Sequence, residues 1–158
     1  MAEDLKITAI TKEEKYIQLI PQIKALLIDE NDAISNMANI CAALKFGMSF
    51  FWVGFYIVKD NQLVLGPFQG PVACSRINFG KGVCGLAWQK KHAIIVSDVN
   101  QFSGHISCSS LSKSEIVVPL FDSNQTVVGV LDVDSDELDN FDKIDERYLI
   151  EILSYLAS

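Results

Sequence analysis

Four cysteines, Cys41, Cys74, Cys84 and Cys108, carry most of the reactive chemistry available to this chain. Their settings differ. Cys41 lies on the apolar stripe of a predicted helix and reads as a small core hydrophobe. The other three each stand beside Gly or Ser, near a predicted loop or the end of an element. Cys84 falls near the start of a short predicted helix, where the dipole favours thiolate. Cys108 lies in a long, serine-rich loop that can move. A fixed thiol and a movable one are what reversible disulfide chemistry requires.

Asp132-Val133-Asp134-Ser135-Asp136 invites a calcium reading. The required Gly and Glu of an EF-hand loop are replaced by Glu137 and Lys143, so that reading fails. What remains is geometric: in a strand, Asp132 and Asp134 share a face, continuing Val128 and Val130. Two carboxylates that end an apolar face either reach water, or bind a cation, or share a proton. The only histidines, His92 and His105, lack metal-ligand spacing with the cysteines, so no metal site is expected. His105 is too close in sequence to Cys108 for the usual hydrolase dyad. Gly80-Lys81-Gly82-Val83-Cys84-Gly85 matches a dinucleotide fingerprint, but its flanking elements are too short for that fold. The glycines read instead as permitting tight turns.

These residues must be placed by a chain of 158 residues, 49% apolar, with 13 basic and 20 acidic side chains. The expectation is one domain over residues 1–158, with residues 1–10 as an N-terminal tail. A net charge of −7 argues against nucleic acid or an anionic membrane as partner. The acidic start, Met1-Ala2-Glu3-Asp4, is unlike a signal peptide, and no apolar run spans a bilayer. A cytoplasmic location is expected, and there structural disulfides are rare.

Thr11 and Glu14 have capping-box spacing before an apolar stripe of Tyr16, Leu19, Ile20, Ile23, Leu26 and Leu27. Pro21 predicts a kink or restart there. Asn31 or Asp32 caps a second helix with the stripe Ile34, Met37, Ala38 and Cys41. Strands are expected over Phe50–Val58 and Gln62–Phe68, joined by an Asp60-Asn61 turn, with Gly66, Pro67 and Gly70 breaking the second. A short strand near Val72–Ile77, a helix over Gly82–Lys91 and a brief strand over Ala93–Val96 follow. Residues 97–114 read as a loop. Glu115–Phe121 and Thr126–Val133 are the clearest strands, and Asp142 caps a last helix with the stripe Leu149, Ile152, Leu153 and Leu156. Adjacent strands flanked by helices give an α+β class with a mainly antiparallel sheet.

Several segments then appear in a telling order. They are Trp52-Val53-Gly54-Phe55-Tyr56, Leu65-Gly66-Pro67-Phe68-Gln69-Gly70, the Gly80–Gly85 run, Gly104-His105-Ile106-Ser107-Cys108, Ser114–Leu120 and Gly129–Ser135. Together they resemble the free methionine-R-sulfoxide reductases, a catalytic branch of the GAF-domain superfamily. The resemblance covers about residues 11–157. It implies a GAF-like fold and reduction of free L-methionine (R)-sulfoxide to methionine, with no metal or organic cofactor in the protein and with thioredoxin as reductant. It implies that Cys108 is the nucleophile, that Cys84 forms a disulfide with it, and that Cys74 is auxiliary in recycling. Glu115, Asp132 and Asp134 match the acidic residues of the substrate pocket; Trp52 and Tyr56 match its aromatic wall. The family also suggests a homodimer.

The chain departs from the family at Ser109, where many relatives have Asp, and at Pro21. On this reading Cys108 attacks sulfur while Glu115, Asp134 or both assist at oxygen. One of Glu115, Asp132 and Asp134 pairs with the substrate ammonium. Clustered carboxylates repel, so at least one should stay protonated near neutral pH. The competing readings are a non-catalytic GAF sensor of a small metabolite and a peroxide-reactive thiol protein.

Overall fold

The computed structural model describes residues 4–106 and 108–156. Met1, Ala2 and Glu3 of the expected tail, and Ser107 of the cysteine motif, lie outside the described residues. The elements run α1 (Lys12–Leu27), α2 (Ala33–Met48), β1 (Trp52–Lys59), β2 (Gln62–Gln69), β3 (Arg76–Asn78), α3 (Gly82–Lys90), β4 (Ile94–Val96), β5 (Ser114–Phe121), β6 (Val127–Ser135) and α4 (Lys143–Ser154). Six strands form one sheet in the order β3-β2-β1-β6-β5-β4. Every pairing is antiparallel. This is the α+β architecture read from the sequence, and it rules out the parallel βαβ unit that a dinucleotide site needs.

The sheet has two unlike faces, because strand side chains alternate. Val53 and Phe55 of β1, Ile116 and Val118 of β5, and Leu131 and Val133 of β6 join the larger core, with α1, α2 and α4. Trp52, Tyr56, Val117 and Val130 point the other way, to a smaller core with Val83, Cys84 and Ala87 of α3. One face is scaffold; the other carries the polar chemistry.

Local chemistry accounts for most boundaries. The Thr11 side chain accepts a hydrogen bond from the Glu14 N–H, and Asp32 accepts from Ser35. Asp60 and Asn61 both take positive φ, 51° and 62°, as a two-residue hairpin turn of the mirror-image type demands. Three expectations need correction. α1 does not restart at Pro21. That ring is exposed, and so is Ile17, whose carbonyl the missing N–H would have served, so water can take the freed acceptor. β2 runs through Gly66 and Pro67, because the register shift against β1 falls there and a bulge spares the ladder a proline N–H. The buried face of α2 is Met37, Ile40, Cys41, Ala43, Leu44 and Gly47, leaving Ile34 and Ala38 exposed.

α1 and α4 are joined by a buried polar knot. Asp145 is fully buried and accepts from Tyr16 Oη at 2.6 Å, Lys12 Nζ at 2.6 Å and the Asp142 N–H at 3.0 Å. Its carboxylate also completes the capping box of α4. Removing it strands the buried Tyr16 hydroxyl. Asp145→Ala should therefore lose about 2–3 kcal/mol of stability, read from urea denaturation, whereas exposed Glu14→Ala should change little.

Candidate active site

Strand register, not sequence proximity, assembles the acids. Glu115 of β5 stands directly opposite Asp134 of β6, and Asp134 stands opposite Trp52 of β1. Two residues along, Asp132 faces Gly54 and Val117 across the neighbouring strands. Alternation then sets Trp52, Tyr56, Glu115, Asp132 and Asp134 on the α3 side of the sheet, all buried. Gly54 is required there: a Cβ would lie 2.5 Å from Cη2 of the Trp52 indole. The indole stacks on Phe68 at 5.3 Å and on Tyr56 at 6.2 Å between ring centroids.

The three carboxyls lie close enough together to share protons. Burial, then mutual repulsion, pushes Glu115 and Asp132 far above the ordinary carboxyl range. Burial raises Asp134 only to about 6, because hydrogen bonds from Asp132, Ser112 and Glu115 favour its charged form. Ser112 Oγ donates to Asp134 Oδ1 at 3.1 Å. Oδ1 of Asp132 is buried with no hydrogen-bond partner among the described residues. The cluster therefore holds protons near neutral pH and keeps one acceptor unused.

The thiols surround this cluster. Cys84, in the first turn of α3, is buried, and its thiol lies beside Asp132. The donor atoms of Cys84, Glu115 and Asp132 lie within 4.8 Å of one another, close enough to surround one small cation. Cys108 is half-buried and disulfide-bonded to Cys74, with 5.4 Å between their Cα atoms. The bond ties the segment between β2 and β3 to the loop before β5. A cavity of about 50 Å3 lies between these groups. The carboxyls, Cys84, Trp52 and Tyr56 line its buried side, and Cys108 and His105 its half-buried side. His105 Nε2 is 3.9 Å from Glu115 Oε2, and burial holds its imidazole below its usual pKa.

The GAF domain family matches residues 29–158. GAF domain-containing protein A of Dictyostelium discoideum is 60% identical over 157 residues, covering 99% of each chain. The free methionine-R-sulfoxide reductase of Escherichia coli is 41% identical over 148 residues, 93% of this chain and 89% of that one. The chain belongs to the GAF family, in its free methionine-R-sulfoxide reductase branch. A substrate-bound free methionine-R-sulfoxide reductase from Neisseria meningitidis superimposes on this GAF domain with a TM-score of 0.96. It is 49% identical, and the match covers 99% of this chain and 94% of that one.

Trp52, Tyr56, Cys84, Cys108, Glu115, Asp132 and Asp134 all line this one cavity of the GAF domain, and Cys74 is bonded to Cys108 at its edge. Two expectations about Cys84 are corrected. Its place in the first turn of α3 suggested a stabilised thiolate, but burial and the three neighbouring carboxyls push its pKa well up. The disulfide expected between Cys84 and Cys108 is instead Cys74–Cys108, and Cys84 is a free, buried thiol. Cys41 is a core residue as read, fully buried and pushed up to about 12 by burial. Ser109 accepts from the Leu111 N–H at 3.2 Å. Ser112 was missed, and a serine among several in one loop carries no signal that could have marked it.

Carboxyls with raised pKa values bind protons more tightly folded than unfolded. Their contribution to stability is therefore greatest in acid and falls as pH rises through the folded pKa. For Asp134 that window runs from roughly 4 up through about 6. Asp134→Asn should stabilise the protein at pH 7.5, by about 1–3 kcal/mol, and much less at pH 4.5. Thermal melts at the two pH values check the sign.

Proposed function

We propose that this protein reduces free L-methionine (R)-sulfoxide to L-methionine, with Cys108 as nucleophile. The observation that carries this reading is the meeting, at one cavity, of a disulfide-forming thiol with three proton-holding carboxyls and an aromatic wall. Sulfoxide reduction needs those parts together. The Cys108 sulfur attacks the sulfoxide sulfur, the sulfoxide oxygen gains a proton, and this hydroxyl passes from the substrate sulfur to the Cys108 sulfur. Glu115 and Asp134 are the catalytic acids of this proposal. Burial keeps the proton on Glu115 near neutral pH, and Asp134, raised to about 6, shares the protons that Glu115 and Asp132 hold.

The S–O bond of the substrate breaks, methionine leaves, and the hydroxyl now bonded to the Cys108 sulfur makes it a sulfenic acid. Cys74 displaces it as water and closes the disulfide. Two thiols supply both electrons, so the cycle calls for no metal or organic cofactor in the protein. Thioredoxin is the proposed reductant of Cys74–Cys108. Asp132 is a substrate-binding group: its unused oxygen is an acceptor for the substrate ammonium. Trp52 and Tyr56 supply apolar surface to the S-methyl end. We further propose a single catalytic domain that works in the cytoplasm as a homodimer, with neither nucleic acid nor membrane as partner. None of the described helices is long and apolar enough to cross a membrane.

Mixing the reduced protein with free methionine (R)-sulfoxide, without reductant, should yield one methionine per chain with loss of two thiols. Cys108→Ser should yield none, and Cys74→Ser one equivalent followed by arrest. Cys84→Ser should still close the disulfide. Methionine measured by mass spectrometry and thiols by colorimetric titration decide the matter. A ligand-binding GAF module would lose no thiols, and full turnover by Cys108→Ser with dithiothreitol would sink the assignment.

A further inference from the structure

Cys74 sits in the segment between β2 and β3, and little of that segment's own chemistry holds it in place. Val72 is 87% exposed, so its one large apolar side chain gives no core anchor. Leu65 N–H donates to Ser75 C=O at 3.0 Å, just past the cysteine. Ala73 packs at the edge of the smaller core, and two further hydrogen bonds come from the cavity wall. Trp52 Nε1 donates to Pro71 C=O at 2.9 Å, and Tyr56 Oη donates to Cys74 C=O at 2.9 Å. The segment also rests flat against the indole: Gly70 takes φ +139°, and a Cβ there would lie 2.6 Å from Trp52 Cδ1. The turn is open to glycine and closed to side chains.

We infer that Trp52 and Tyr56 are positioning residues for Cys74, holding its backbone where the thiol can close on Cys108. The inference rests on the proposed role of Cys108 as the thiol that is oxidised. The two aromatic side chains thereby serve two stages: their faces border the cavity, and their polar tips fix the segment that carries the second thiol. The Tyr56 hydroxyl is a dependable donor, since burial and nearby carboxyls keep it protonated. The step it assists is balanced. The Cys74 sulfur attacks the sulfenic sulfur of Cys108, the S–O bond breaks, the S–S bond forms, and the hydroxyl leaves as water with the proton of the Cys74 thiol.

Closure depends on how often the Cys74 sulfur lies in line with that bond. Losing one part-buried hydrogen bond to its backbone is expected to slow closure about tenfold. The test generates the sulfenic acid with hydrogen peroxide, so it does not depend on sulfoxide reduction. Reduced wild type, Tyr56→Phe and Trp52→Phe are each oxidised. Dimedone-trappable Cys108 is then followed against the appearance of Cys74–Cys108 by peptide mapping.

Sulfenic acid should live about tenfold longer in both variants, with disulfide formation delayed to match, while thermal melts confirm that both fold. An unchanged closure rate in both variants would overturn the inference. So would wild-type closure onto Cys84. If wild type closes normally but makes no methionine from the sulfoxide, the proposed activity fails and the positioning role stands.

Discussion

Three carboxyls packed side by side out of water can remain there only by sharing protons. Ionising all of them would place like charges within hydrogen-bond distance in a medium that screens poorly. Much of the surrounding structure follows from this. The sheet must be antiparallel with β5 against β6, so that Glu115 faces Asp134. It must be covered by α3 on that side, so that water does not replace the neighbours. A glycine must stand opposite Asp132, so that the indole can lie over β1. The cluster is therefore a destabilising element near neutral pH, carried by the larger apolar core on the opposite face.

The division of labour between the two faces explains how such a load is borne. The scaffold face joins three helices to the sheet and is fixed further by the Asp145 knot between α1 and α4. The chemical face has one short helix and loops. Its acids come from rigid strands, whereas two of its three thiols come from connecting segments. The carboxyls are thus held by the sheet, and the two disulfide-bonded cysteines lie on segments that connect its strands.

Much of this was legible in the sequence. The hairpin at Asp60-Asn61, the strands β5 and β6, the shared face of Asp132 and Asp134, and the caps at Thr11, Asp32 and Asp142 are all local patterns, and local chemistry decides them. The residues at the cavity were legible through motifs that keep their order along the chain. What was hidden depends on distance. No local pattern tells that Glu115 lies opposite Asp134, because register is a property of two strands. Nor does it tell that Asp145 is the buried partner of Tyr16 and Lys12. The choice of Cys74 over Cys84 was hidden for the same reason: the position of Cys84 in its helix suggested reactivity, but its carboxyl neighbours arrive from β5 and β6. The phase of α2 and the continuity of α1 through Pro21 were set by what each helix packs against, or leaves to water.

The disulfide has a consequence beyond chemistry at sulfur. Cys74 and Cys108 are 34 residues apart, and the chain between them contains β3, α3 and β4. Oxidised, that stretch is a closed ring whose unfolded form has far fewer arrangements than the open chain. A ring of this size is worth about 3–4 kcal/mol in the chain-entropy view. The oxidised molecule is then sturdier than the reduced one, so heat and proteases would fall hardest on the reduced form.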